Sequence, residues 1–283
     1  MSSRIIDFHT HFFPDRLFDA IWRWFEKNAW PIAYKHYADD LVKILKKEGV
    51  SRAVSLHYPH KKGMSEELNR WSFEFSRRHA DFIIPFGSVH PDEPNVEEIL
   101  ETCFGEYGFH GLKIHCHVQK VSPDDPRMGP IYRACARHKK ILLIHCGTGP
   151  RFPDKPEHGY GYDVRTVSGV ARFRRALEKN PDVTFVVPHL GFEEIGEFLA
   201  LADTFPNLFF DTAVVFSNLF HVDSRREWFE KQSDRILFGS DFPQIAYPWK
   251  TEREKILSFK LGRKIEEKIF FRNAISLLGL GRP

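Results

Sequence analysis

Short apolar runs and amphipathic stretches alternate along this chain eight times, and few architectures accommodate such a pattern. The runs are Arg4-Ile5-Ile6-Asp7-Phe8, Ala53-Val54-Ser55-Leu56, Phe82-Ile83-Ile84-Pro85-Phe86, Gly111-Leu112-Lys113-Ile114, Ile141-Leu142-Leu143-Ile144, Val183-Thr184-Phe185-Val186-Val187, Leu208-Phe209-Phe210 and Arg235-Ile236-Leu237-Phe238. Between them apolar residues recur at helical spacing, as Val96, Ile99, Leu100 and Cys103 do, which predicts helices at about Ser65 to His79, Ile131 to Arg137, Val170 to Lys179 and Arg225 to Gln232. A helix carrying Leu41, Val42, Ile44 and Leu45 takes Asp39 or Asp40 as its cap and Gly49 as its stop. Strands that are apolar at nearly every position are buried on both faces, so they belong to a parallel sheet covered by helices. Eight such units in 283 residues argue an α/β fold of the closed (β/α)8 TIM barrel type, with residues 1–283 as one domain. A doubly wound open sheet is the alternative. It wants a glycine-rich phosphate turn after an early strand, and no GxGxxG occurs.

Two stretches interrupt the pattern. The segment from Phe12 to Tyr37 holds Phe18, Trp22, Trp24, Phe25 and Trp30, and it far exceeds the roughly 2–6 residues of an ordinary βα loop. It reads as a partly helical insertion after strand 1 that covers a site, with its Phe and Trp side chains serving as local core rather than as pocket lining. The second stretch, Gly147 to Arg165 after strand 5, is rich in Gly, Pro and aromatic residues and carries Arg151, His158, Tyr160 and Tyr162. A lid or specificity loop and a surface excursion or subunit contact are equal readings of it. Arg151 is the candidate there for holding a carboxylate or phosphate, since guanidinium binds either in a bidentate way.

The net charge is +3 with both signs interspersed, which argues against a nucleic-acid or membrane surface. No apolar run approaches the roughly 18 residues of a membrane span, and no secretory leader is recognisable. The expected setting is cytoplasmic, the expected partner a small-molecule substrate, and a homo-oligomer is left open. Cys103, Cys116, Cys135 and Cys146 show no CxxC spacing, so they read as reduced, buried side chains.

The histidines are not scattered. His9 and His11 follow strand 1, His57 and His60 strand 2, His90 strand 3, His115 and His117 strand 4, His145 strand 5 and His189 strand 6, nine of the fifteen in the chain. Strand 8 runs into Gly239-Ser240-Asp241. In a barrel these strand ends converge on one mouth, and residues two apart on a strand share a face. His9, His11, His145 and Asp241 would offer three imidazoles and a carboxylate, a set suited to zinc or another divalent transition metal with a position left for water. Such a metal ionises water near neutral pH. His189 would orient or polarise a substrate carbonyl or hold the water, and Asp241 can both touch the metal and accept a proton. His57, His60, His90 and His117 read as supporting or loop residues, and Asp211 as a structural hydrogen-bond partner or one that orients an imidazole.

Asp7-Phe8-His9-Thr10-His11, Ile144-His145-Cys146-Gly147, Pro188-His189-Leu190-Gly191 and Gly239-Ser240-Asp241-Phe242-Pro243 resemble, in order, the metal and catalytic motifs of the amidohydrolase superfamily. The nearest group is the amidohydrolase-related branch, which also holds metal-dependent decarboxylases. Asn273-Ala274-Ile275-Ser276-Leu277-Leu278-Gly279 is similar to the closing helix of that branch. The resemblance implies a distorted (β/α)8 barrel with one or two divalent ions, usually Zn2+ and sometimes Mn2+. It implies His9, His11 and Asp241 as ligands, His145 as ligand of the same or a second metal, and His189 as second-metal ligand or catalytic group. Lys113 resembles the lysine that, once carboxylated, bridges two metals in binuclear members; otherwise it binds a substrate anion or pairs with an acid. His115, two residues on, is a substrate contact or a supporting partner, and His57 joins Arg151 as a further substrate contact.

The resulting expectation is a metal-dependent hydrolase of an amide, ester or lactone, in which Asp241 shuttles a proton to the leaving group and His189 stabilises developing charge. The alternative is non-oxidative decarboxylation of a small carboxylic acid, with an imidazole protonating carbon. Some decarboxylases of the branch carry glutamate in the first motif where this chain keeps both histidines, which tilts modestly toward hydrolysis. A non-catalytic binding barrel predicts lost ligands, and none of the core four is lost.

Overall fold

The apolar runs become eight strands: β1 (Ile5–His11), β2 (Val50–Leu56), β3 (Ile83–Gly87), β4 (Gly111–His115), β5 (Ile141–His145), β6 (Thr184–Val187), β7 (Leu208–Asp211) and β8 (Ile236–Leu237). Every residue of β1, β4 and β5 is buried, as strands covered on both faces must be. The strands lie in one sheet in sequential order, and each neighbouring pair is parallel. The sheet closes on itself where the Phe8 amide donates to the Phe238 carbonyl (2.8 Å), the His11 amide to Phe242 (2.7 Å) and the Asp241 amide to His9 (2.8 Å). The expected (β/α)8 barrel is therefore the fold. The computed structural model describes residues 4–149, 159–217 and 225–281. No helix among them is long and apolar enough to cross a membrane.

Two apolar layers hold the barrel together. Val54, Leu56, Ile84, Phe86, Leu143, Val186 and Leu237 pack with Ala274 and Leu278 of the closing segment, while Ile5, Ala53, Leu112, Ile144, Phe185 and Phe210 pack outward against the helices. Strand alternation then places polar groups at the mouth. Lys113 pairs across the sheet with Leu143 and His115 with His145, so one face changes from apolar to basic on reaching the strand ends. The β1–β2 register shifts between Asp7 and Thr10, an irregularity in the strand that carries both first-motif histidines.

Helix Val170–Lys179 spans the expected residues. In helix Ala38–Lys47 the cap position is Tyr37, which makes no side-chain cap bond, and Asp39 and Asp40 fall in the first turn. They oppose the positive helix end by charge rather than by capping it, which corrects the sequence expectation. Gly49, at φ +88°, ends that segment as expected.

The insertion after β1 contains α1 (Asp15–Asn28). Phe12, Phe13 and Phe18 are buried, as local core should be. Trp24, Phe25 and Trp30, however, line the cavity at the mouth together with Phe13, so the core reading of this segment is corrected for its second half. The reason is periodic: Leu17, Ala20, Ile21, Trp24 and Phe25 form one helical stripe, and that stripe faces the cavity.

Candidate metal centre and substrate cavity

β1, β7 and the turn after β8 assemble the first cluster. The Nε2 atoms of His9 and His11 lie 3.2 Å apart, and Oδ1 of Asp241 is 3.2 Å from the first and 2.9 Å from the second. The far side of each ring is already committed. His9 Nδ1–H donates to Asp211 Oδ2 at 2.7 Å, and His11 Nδ1–H donates to the Leu56 carbonyl at 2.8 Å. With the ring protons there, two bare nitrogens and a carboxylate oxygen converge on one point with no proton among them, an arrangement that repels itself unless a cation fills it. These residues fit a divalent metal on their own geometry.

Local backbone delivers this convergence. Asp241 sits at φ +64°, and His189, Leu190 and Phe192 are also left-handed, conformations that non-glycine residues adopt at a steric cost and that cluster at functional sites. Asp7 holds the Asp241 turn from below, accepting from Ser240 Oγ (2.6 Å), the Ser240 amide (3.1 Å) and Trp249 Nε1 (2.9 Å). Gly239 is needed there because a Cβ would stand 2.8 Å from the Cβ of His9. Asp211 serves both of its sequence readings. Besides orienting His9, it accepts from the backbone amides of His189 and Ala213, both at 3.1 Å.

His189 and His145 form the next layer. His189 Nδ1–H donates to the Ala213 carbonyl (2.8 Å), and its Nε2 faces His145 Nδ1 at 3.2 Å, while His145 Nε2 lies 3.3 Å from the Gly149 carbonyl. Two neutral rings carry two protons, one of which His189 has already spent. The remaining proton can serve the His145–His189 contact or the Gly149 contact but not both, so a proton or a cation completes the pair. The structure thus brings His189 and His145 to the mouth beside His9, His11 and Asp241, with His145 in contact with His189 rather than with the His9–His11–Asp241 triad.

His115, His117 and His145 also lie close enough to suggest a metal site. Ring geometry argues otherwise: His115 stacks on His145 with centroids 4.1 Å apart and planes 11° from parallel. Imidazole lone pairs lie in the ring plane, so stacked rings cannot aim at one ion. These rings act as a wall.

Electrostatics follow burial. Burial, then the charge of Lys113, drives the His9 pKa well down; burial drives that of His145 well down too and lowers that of His189. Burial pushes the Asp241 carboxyl up, but the imidazoles around it, His11 at 2.9 Å first, then His9 and His189, outweigh it and hold it below its usual value. Lys113 is buried, and burial lowers its amine to about 8 against the opposing pull of Asp211 and Asp241. Its Nζ makes no hydrogen bond or ion pair among the described residues, and the side chain lines the cavity.

That cavity, about 400 Å³, is lined by His9, His11, Lys113, His115, His145, His189 and Asp241 on the strand side. The facing wall is aromatic, with Trp24, Trp30, Tyr58, Tyr160 and Tyr162. Of the expected substrate contacts, His115 is present. His57 does not line the cavity; it is fully buried with Nε2 2.9 Å from Asn69 Oδ1. Arg151 and His158 lie outside the described residues. His60 and His117, expected in supporting or loop roles, line the cavity, whereas His90 does not. Tyr58, next to His57, was missed although the strand-end rule that selected His57 covers it; Lys120 and Gln244 carried no sequence signal.

A family model for amidohydrolases matches residues 6–280. Among curated proteins none matches the chain. Similar solved structures include a TIM-barrel protein from Bordetella bronchiseptica (20% identity, 98% of both chains, TM-score 0.72). They also include 5-carboxyvanillate decarboxylase from Sphingomonas paucimobilis (15% identity, 99% of this chain and 100% of that one, TM-score 0.72). A third is 5-carboxyvanillate decarboxylase from Novosphingobium aromaticivorans, complexed with manganese and 4-hydroxy-3-methoxy-5-nitrobenzoic acid (15% identity, 98% and 96%, TM-score 0.71). At these identities the structures attest the shared barrel. The family match, extending over nearly the whole chain, places this protein in the amidohydrolase family.

Proposed function

We propose that the protein is a metal-dependent decarboxylase of a small aromatic carboxylic acid. The observation that carries this reading is the cavity itself: aromatic faces of Phe13, Trp24, Phe25, Trp30, Tyr58 and Tyr160 enclose about 400 Å³ directly over the His9–His11–Asp241 cluster. A flat ring matches such walls. A carboxylate drawn among them loses hydration, and that charge is gone once CO2 departs, so an apolar site disfavours substrate more than product. Two of the structural neighbours are decarboxylases of an aromatic acid, one of them with manganese bound, which supports the reading.

His9, His11 and Asp241 would hold the metal, Zn2+ or Mn2+, with His145 and His189 next to it. Bound there, the ion supplies Lewis-acid polarisation and a fixed anchor for substrate oxygens. Lys113 gives the anion a second electrostatic contact, since among the described residues its Nζ has no hydrogen-bond or ion-pair partner to leave. Asp211 and the Leu56 and Ala213 carbonyls keep His9, His11 and His189 in one tautomer each. When the C–C bond to the carboxylate breaks, its electron pair stays on the ring carbon, and a proton must arrive there. For His189 to deliver it, its Nε2, bare in the neutral ring, must first take up a proton from solvent, which His145 Nδ1 at 3.2 Å can share; the ring then returns to its Nδ1–H form on the Ala213 carbonyl, and because burial lowers the His189 pKa the protonated ring is the stronger acid.

Hydrolysis is the second reading, favoured by one observation. Asp241 is held ionised beside both first-motif histidines, where it can take a proton from water, and Lys113, an amine near 8 with no hydrogen-bond partner among the described residues, keeps a fraction of the neutral form that would add CO2 and lose a proton to give a carbamate whose oxygens could hold a second ion. One experiment separates the two. Metal-loaded protein is incubated in D2O with a panel of benzoic and hydroxybenzoic acids, and in parallel with esters, amides and lactones. Release of CO2 with deuterium on the former carboxyl-bearing carbon is the expected result. Turnover of the second panel alone, with two metals per chain, overturns it.

A further inference from the structure

Behind β7 the chain turns through residues 212–217, and this turn carries the oxygen that orients His189. Val214 sits within it at φ +62°, a left-handed conformation that is a genuine outlier for a β-branched residue. The peptide unit joining Ala213 to Val214 is planar, so the φ of Val214 sets where the Ala213 carbonyl points relative to the rest of the turn. That carbonyl accepts from His189 Nδ1–H at 2.8 Å, and the Val214 side chain lines the cavity. Strain at Val214 therefore has a definite product, one oxygen aimed at one ring nitrogen. If Val214 relaxed to an ordinary φ, the carbonyl would swing off the ring.

The bonds inside the turn are local: the Val215 amide donates to the Thr212 carbonyl (3.2 Å), and the Ser217 amide (3.3 Å) and hydroxyl (2.9 Å) donate to the Val214 carbonyl. A tie to another element comes from Glu252 of the helix Lys250–Ser258. Its Oε2 accepts from the Phe216 amide at 3.1 Å, and its Oε1 lies 2.9 Å from the Tyr247 hydroxyl. Glu252 is 0% exposed, and burial, helped by the charges of Asp241 and Asp211, raises its carboxyl to about 8. Near neutral pH it is therefore mostly the uncharged acid. Burying such a group costs stability unless its hydrogen bonds are made, and here they join the chain that follows β7 to the chain that follows β8. The Phe216 ring packs on Phe229 and Phe259 at 5.6 and 5.7 Å, which keeps the segment in the core but leaves the direction of its backbone to the hydrogen bond. We propose that Glu252 is a positioning residue: it holds the strained turn so that the Ala213 carbonyl keeps His189 in its Nδ1–H form, with Nε2 bare for the proton it takes up and delivers. This rests on the role given to His189 above.

The test uses the full chain loaded with Zn2+ and isotopically labelled at the histidine ring nitrogens, read by NMR, with the His189 signals identified by their loss in His189→Asn. Wild type is expected to show a protonated Nδ1 and a bare Nε2. Glu252→Met removes both oxygens at similar volume and should raise the population of the relaxed turn about tenfold, seen as a mixture of tautomers and faster exchange of the Nδ1 proton. Glu252→Gln should keep the wild-type signature, because an amide offers an oxygen to the Phe216 amide and a donor to Tyr247. Tyr247→Phe should give the change in weaker form, and it carries the test should Glu252→Met not fold. Glycine adopts φ +62° freely, so adding Val214→Gly to Glu252→Met should restore the wild-type signature, a rescue that a general loss of core packing would not show. A wild-type signature in Glu252→Met, or in Tyr247→Phe where the former does not fold, overturns the proposal, as does a change that Val214→Gly fails to reverse. The signature is read without substrate and so stands apart from the decarboxylase reading. A changed signature with an unaltered kcat keeps Glu252 as the positioning residue and overturns His189 as the proton donor.

Discussion

The two sides of the cavity are held by different forces. On the strand side the rings that face the candidate metal position are tied from behind to oxygens, with His9 on Asp211 (2.7 Å), His11 on Leu56 (2.8 Å) and His189 on Ala213 (2.8 Å). The opposite wall is joined by ring faces and a few bonds: Trp24 against Tyr160 at 5.4 Å, the Gly159 amide to the Asn28 carbonyl at 2.6 Å, and Trp30 Nε1 to the Gln244 carbonyl at 3.0 Å. A hydrogen-bonded ring is fixed in orientation and tautomer, whereas an aromatic face tolerates sliding and replacement. On the proposed function, the chemistry would belong to the strand ends and the choice of substrate to α1 and the loops.

The comparison breaks most sharply at Asp241. Asp241→Asn keeps a residue tolerant of the left-handed turn but removes the charge among the Nε2 atoms; bound metal should be lost and kcat/KM should fall about 10³-fold or more, measured by metal content and turnover. A near-normal metal content would show that the strand side is not the metal side. Asp211→Asn tests the support behind the ligand, and metal affinity should weaken about 10–100-fold, read by competition with a chelator.

Acid should sharpen the same contrast in metal-free protein. Burial lowers the pKa of His9, His115, His145 and His189, of His57 to about 4 and of His117 to about 3. Each of these six has a folded value below its unfolded one, so the unfolded chain binds more protons as pH falls through about 6.5, and stability is lost on the way down. Asp7, raised to about 7, Glu252, raised to about 8, and Asp211, also raised, all by burial, act in the opposite sense. The histidines outnumber them, and the folding constant should drop at least about tenfold per pH unit between about 6 and 5. Thermal melts of chelated protein check this; a melting temperature that stays flat or rises on acidification would mean that the imidazoles are not buried neutral.

The smallest effect belongs to the aromatic wall. Trp24→Ala should raise KM up to about tenfold with kcat nearly unchanged, as expected for a ring contact made equally in ground and transition states. A fall in kcat of the Asp241→Asn size would erase the distinction between the two sides.

Much of the strand side was legible in the chain. A parallel barrel forces C-terminal strand ends together, so the placement of His9, His11, Lys113, His115, His145, His189 and Asp241 follows from counting strands. The helical stripe Leu17, Ala20, Ile21, Trp24 and Phe25 was legible too, but period alone says that a face is buried and not whether it is buried by core or by a ligand cavity. His57 shows the converse error. It obeys the strand-end rule, yet its ring turns to Asn69, a choice made by side-chain packing that sequence position does not encode.

By itself the sequence determined the barrel, because hydrophobic periodicity and chain length leave one economical way to bury eight apolar strands, and it placed the candidate ligands at the strand ends. The tertiary structure decided everything that depends on the direction of a side chain. The second ring nitrogen of each histidine found its acceptor through contacts as distant as residue 9 with residue 211. The stacked planes of His115 and His145 made a wall where proximity suggested a metal site, and Lys120 settled over Tyr162 at the rim. Periodicity fixes the face on which a residue stands; hydrogen-bond direction and ring orientation arise only when distant segments close around one another.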